Sequence, residues 1–173
     1  MAVKYAYASI SENGTVNGKA GDSTGKEVKK ANEYNFGQVK VIRCTNKAMR
    51  KRIGDASIAI ADNDNFGYSQ DSRGGVYTQV SKVGWDVSKI KDIKVKCNTD
   101  CSNMAGVCIN CGYGKKVIPS DVTSRNIITY VDKFTGKDFQ VLNYKKGMTL
   151  YKGDILQKAG HCVIVYKGGT AKV

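Results

Sequence analysis

The sequence predicts an α+β fold in which helices come first and an antiparallel sheet closes the chain. Three observations carry this. In the earlier part Ile53, Ala56, Ser57 and Ile60 fall on one helical face. Short β-branched runs bounded by glycine fill the end, finishing in Gly160-His161-Cys162-Val163-Ile164-Val165-Tyr166. Between them the turn formers Asn98, Thr99 and Asp100 run into Met104, Ala105 and Cys108 at helical spacing, which starts a helix at about Cys101.

Taken in order, residues 4–10 alternate as a short strand, and Ser11-Glu12-Asn13-Gly14 is a turn. Gly14, Gly18, Gly21 and Gly25 punctuate a loop. It lacks the GxxxxGK(S/T) pattern and is read as a connection rather than a phosphate loop. Residues 26–34 then form a helix capped by Ser23 or Thr24, with Glu27 in its first turn. Val39-Lys40-Val41-Ile42-Arg43-Cys44 is a strand, and residues 47–64 are a helix whose Arg50-Lys51-Arg52 cluster is a solvated face. Phe66-Gly67-Tyr68-Ser69-Gln70 is a loop. Residues 75–83 form a short amphipathic helix with Val76, Val80 and Val83 inward, and Trp85 is a packing residue. Residues 89–96 alternate apolar and basic side chains and fit a strand or a loop. Cys111-Gly112-Tyr113-Gly114 is a turn, and Ser120 caps a helix over residues 121–133 with Val122, Ile127, Ile128 and Val131 as its apolar stripe. Phe139-Gln140-Val141-Leu142, Gly153-Asp154-Ile155-Leu156-Gln157 and the run from His161 close the chain as strands.

A chain of 173 residues with 41% hydrophobic content is expected to form one domain over residues 1–173. Lys and Arg number 28 against 15 Asp and Glu, a net charge of +13 spread along the sequence. Such an excess favours a polyanionic partner: nucleic acid, an acidic membrane surface or an anionic wall polymer. No apolar run reaches the length of about 18 residues that a membrane span needs, so stable membrane insertion is not expected. Met1-Ala2-Val3-Lys4-Tyr5-Ala6-Tyr7-Ala8 lacks the order of a signal peptide, so synthesis in the cytoplasm is expected. Most of the six cysteines are then expected as free thiols.

Cys101 is the best nucleophile candidate. A thiol in the first turn of a helix meets the positive end of the macrodipole and unpaired N–H groups, both of which favour the thiolate. A base must serve it, and the chain has a single histidine, His161, at the head of the final strand. A helix-borne Cys followed by a strand-borne His suits nucleophilic amide chemistry, the pairing being spatial rather than sequential.

Thr99-Asp100-Cys101-Ser102, then Lys152-Gly153-Asp154-Ile155-Leu156, then Gly160-His161-Cys162-Val163-Ile164-Val165-Tyr166 resemble the D-C-S, G-D-(L/I) and G-H signatures of NlpC-type peptidoglycan hydrolases. The related CHAP amidohydrolases share the papain-like fold and the Cys-before-His order, and the chain is similar in style to phage endolysin catalytic domains. Gly67-Tyr68 resembles the tyrosine-bearing loop upstream of the nucleophile. The resemblance implies a papain-like fold, with the nucleophile helix packed on a C-terminal antiparallel sheet. It further implies that Cys101 attacks an amide of the stem peptide or cross-bridge and that His161 moves the proton, through an acyl-enzyme and without a cofactor. Tyr68, Asp100 and Ser102 would hold substrate and oxyanion, with the Cys101 N–H as a donor. Peptidoglycan and anionic wall polymers would be the partners, reached after release from the cytoplasm. The third polar group of such sites, normally on the strand after the histidine, has no match before Val173: either it comes from elsewhere, with Gln157 on the preceding strand as candidate, or the chain is a fragment. Asp154 is read as structural.

Two alternatives stand beside this. Four thiolates, Cys97, Cys101, Cys108 and Cys111, have a spacing that would let them hold a structural zinc in a basic nucleic-acid-binding protein, if the helix at Cys101 broke to close the tetrahedron. A catalytically dead wall-binding module would keep the fold without the chemistry, against which both Cys101 and His161 are present.

Overall fold

The computed structural model describes residues 2–10 and 27–173. The elements are β1 (Lys4–Ala8), β2 (Val28–Asn32), β3 (Lys40–Cys44), α1 (Lys47–Ala61), β4 (Phe66–Tyr68), α2 (Gly75–Lys82), α3 (Val87–Ile90), β5 (Cys97–Thr99), α4 (Cys101–Tyr113), α5 (Ile127–Thr135), β6 (Phe139–Asn143), β7 (Thr149–Leu150), β8 (Ile155–Lys158), β9 (His161–Lys167) and β10 (Gly169–Thr170). The mixture of helix and sheet is α+β, with a difference in order. The main sheet runs β2-β1-β9-β8-β3-β6, every neighbour antiparallel. Three of its strands therefore precede the first helix, rather than all of them following the helices.

Strand periodicity sorts the core into two layers. On one face Ala6, Ala8, Ile42, Ile155, Cys162 and Ile164 meet Ile53, Ala56 and Ile60 of α1 and Met104, Ala105 and Cys108 of α4. On the other, Tyr5, Tyr7, Val41, Leu156, Val163 and Val165 pack with Leu150, Ala171 and the half-buried Tyr34 and Phe36. The small alanines of β1 thus face the helices while its tyrosines face away. α1 and α4 approach closely where Gly112 lies against Met49 and Ile53, with no room for a Cβ.

Several local expectations give way to tertiary pairing. Residues 26–34 were expected as a helix, yet residues 28–32 pair with β1 as an edge strand, its lysines outward. Helix-forming side chains are overridden there by the open hydrogen-bonding edge of β1, and the lysines guard the new edge. The glycine loop before it lies outside the described residues. Phe66–Tyr68 is a buried strand, not a loop, paired in parallel with β5. Residues 89–96 contain the end of α3 and a loop, and no strand. The helix from Cys101 runs on through Cys111 and Gly112 to a left-handed C-cap at Gly114. The next helix starts at Ile127, because residues before it form a turn in which Thr123 and Asn126 bond each other reciprocally. Among the described residues no helix is long and apolar enough to cross a membrane.

Candidate active site

α4 starts at Cys101 because Asp100, in extended conformation, accepts the Asn103 N–H at 2.8 Å as N-cap. Its carbonyl accepts the Met104 N–H at 3.0 Å. The N–H groups of Cys101 and Ser102 are left pointing out of the helix start, where no intrahelical acceptor exists. Asp100 is itself held by the Arg73 guanidinium, which also reaches Ser102 Oγ at 3.3 Å and the carbonyls of Ser120 and Val122. Ser102 Oγ donates to Asp100 Oδ1 at 3.2 Å. Asp100 and Ser102, expected as substrate contacts, are buried in the N-cap network and bonded to Arg73, and neither is among the residues that line the cleft holding Cys101 and His161.

β9 delivers His161 opposite this helix start. The turn before it is shaped by Gly160, at φ +99°, whose N–H donates to Ser124 Oγ at 2.8 Å. The imidazole sits among aromatic rings, edge-on to Phe36 at 5.0 Å and to Tyr7 at 5.5 Å. Its Nε2 lies 2.7 Å from Tyr34 Oη. Burial, with a hydrogen bond to Tyr7, pushes the Tyr34 hydroxyl up, so it stays protonated. Gln157 does not fill this place: its Nε2 donates to the Ser124 carbonyl at 2.7 Å.

The thiols separate cleanly. All six are free. Burial raises those of Cys44, Cys97, Cys108 and Cys111, the last to about 12. Cys101 alone is lowered, to about 5, by the neighbouring Cys162 thiol and then by His161, against the opposing effects of burial and Asp100. Cys162, fully buried on β9, is raised. Cys97 lies on β5 while the other three thiols of the zinc alternative lie on one unbroken helix. Among the described residues no three His, Cys, Asp or Glu side chains group as metal ligands.

Cys101 and His161 open into a cleft of about 390 Å³ with Tyr7, Tyr34, Tyr68 and Gln70 on its walls. The β4–β5 pairing sets Tyr68 across from Thr99 and so beside the nucleophile. Tyr68 donates its N–H to the buried Glu27 carboxylate at 3.1 Å, and its Oη accepts from Gln70 Nε2 at 3.2 Å. Of the residues singled out by sequence, Cys101, His161 and Tyr68 share this cleft. Tyr34, Phe36 and Arg73 carry no sequence signal that marks them. Cys162 did, adjacent to the histidine, but reads locally as a core filler.

A family model described as "Endolysin-like domain" matches residues 6–172. No curated protein and no solved structure matches the chain.

Proposed function

Since the chain belongs to the endolysin-like domain family, we propose that it is a bacterial cell-wall hydrolase that cuts a peptidoglycan amide by a Cys101–His161 mechanism on a papain-like, NlpC-type scaffold. The observation that carries this reading is the one depressed thiol, at a helix start, sharing a cleft with the one histidine. The Cys101 thiolate attacks the carbonyl carbon of a stem-peptide or cross-bridge amide, and the oxyanion forms beside the Cys101 N–H. With Nε2 engaged by Tyr34, Nδ1 is the nitrogen of His161 left to serve the thiol. As the tetrahedral intermediate collapses, imidazolium gives its proton to the departing amine and the acyl group stays on sulfur. Neutral imidazole then takes a proton from water, whose oxygen attacks the thioester and returns Cys101 as thiolate.

Tyr34 takes the orienting role that a carboxylate or amide has in related sites, holding the ring without adding charge. Tyr68, on the cleft wall, meets substrate. Asp100 and Ser102 act through Arg73 to fix the helix start.

The test is lysis of purified Gram-positive walls, followed by release of new amino groups. Cys101→Ala and His161→Ala are expected to abolish release while retaining the fold by circular dichroism. Tyr34→Phe is expected to lower kcat by about tenfold with KM little changed. Undiminished wall clearing by Cys101→Ala would refute the mechanism.

A further inference from the structure

A second, larger groove of about 640 Å³ lies away from the catalytic cleft. It is lined by Lys47, Ala48, Arg50 and Lys51 of α1 and by Tyr151 and Lys152 from the turn before β8. Gly153, next to it, donates its N–H to the Val165 carbonyl at 2.7 Å. Val165 is four residues along β9 from His161, which sets the groove about 13 Å or more from the histidine.

Tyr151 organises the groove. It is 43% exposed, large for an aromatic side chain, yet two guanidinium groups lie over its ring, Arg43 at 4.3 Å and Arg50 at 4.8 Å. Arg43 is balanced by Asp154 at 2.7 Å, and Lys51 and Lys152 share Asp55. Among the described residues no carboxylate pairs with Lys47 or Arg50. Arg50 is fixed instead by donation to the Cys44 carbonyl at 2.9 Å. Five cations thus face two carboxylates. Three of the five stand in the opening turns of α1, where no acidic residue offsets the positive end of the dipole. That placement works against the isolated helix and favours a bound anion.

We propose that this groove binds a phosphodiester-linked anionic polymer of the cell wall and holds the enzyme on its substrate layer. The fixed guanidinium of Arg50 and a helix start suit phosphate oxygens, and the aliphatic lysine stems and the Tyr151 edge suit the polyol or sugar between phosphates. Two guanidinium groups so close to one ring leave little of it for a nucleobase to stack on, which disfavours single-stranded nucleic acid. The choice of a wall polymer rests on the hydrolase reading; the anion groove does not.

The full chain is titrated with soluble poly(glycerol phosphate), with duplex DNA as comparison, at a series of salt concentrations. Lys47→Ala/Lys51→Ala is expected to weaken polymer binding by about tenfold and to flatten its salt slope. Lys82→Ala/Lys89→Ala removes the same charge from another face and is expected to change binding by less than about twofold. Tyr151→Ala, which alters no charge, is expected to weaken it as well. Equal losses in the two double variants would overturn the proposal in favour of diffuse net charge. Tighter DNA binding with the same dependence on Lys47 and Lys51 would overturn it in favour of a nucleic-acid surface. Polymer binding that depends on Lys47 and Lys51 in a protein that cleaves no wall would sustain the groove and remove the hydrolase reading alone.

Discussion

Cys162 is the residue whose position beside His161 changes the chemistry most. Its buried thiol, with His161, lowers the Cys101 thiol to about 5. Activity on an amide substrate is therefore expected to fall as pH drops through about 5, as the thiolate is protonated. Cys162→Ala deletes that thiol and should move that acid limb to higher pH; Cys162→Ser puts an O–H in its place and should move it back. A pH profile of kcat/KM for the three proteins reads the shift. The same lowering feeds stability with a definite sign. Between about 5 and the ordinary thiol value of 9.0 the unfolded chain binds more protons at this site than the folded one, so its contribution grows with pH and is lost as pH falls toward 5.

At the level of elements, the junction of α1 with the turn before β8 is the tightest constraint near the two grooves. Gly153 has φ +94°, and a Cβ there would overlap the carbonyl of Arg50. The adjoining Asp154 is fully buried, bidentate to Arg43 and accepting the Tyr151 N–H at 2.8 Å. The Gly-Asp-Ile motif is thus an architectural lock that starts β8, in keeping with the structural reading of Asp154. Gly153→Ala combines a left-handed backbone with an overlap against main chain and is expected to cost about 3 kcal/mol, measured by urea unfolding. The other pairing that matters is β4 with β5: without it Tyr68 would have no reason to stand beside Cys101.

Over the whole molecule, the net charge of +13 acts at longer range than either groove. Attraction between exposed charges is screened beyond about 8 Å at physiological salt, whereas bond making at Cys101 is short-range. Raising salt is expected to slow hydrolysis of intact walls much more than hydrolysis of a soluble muropeptide. Initial rates on both substrates over one salt series test this, and equal salt dependence would show that charge does not recruit the enzyme.

The two residues of the proposed mechanism that share the cleft, Cys101 and His161, were legible in the sequence because each is marked locally. Asp100 is a side-chain N-cap, so Cys101 is a helix start in any fold that keeps the helix, and a single histidine leaves one choice of base. The helices expected at residues 47–64 and 75–83 and the strands β6, β8 and β9 were legible for the same reason, whereas the two-residue strands β7 and β10 were not. The remainder depends on partners far along the chain. Residues 28–32 carry helix-forming side chains and become a strand only because β1 offers an unpaired edge. Tyr34 is 127 residues from His161, and nothing in its neighbours marks it as the group that orients the ring. Asp100 and Ser102 look like substrate contacts until Arg73, also distant in sequence, turns them inward. Local periodicity and capping set most of the helices and strands and put Cys101 at a helix start. Only tertiary structure decided which strand edges, carboxylates and ring nitrogens found partners, because those bonds are chosen by proximity across the fold and leave no period in the sequence.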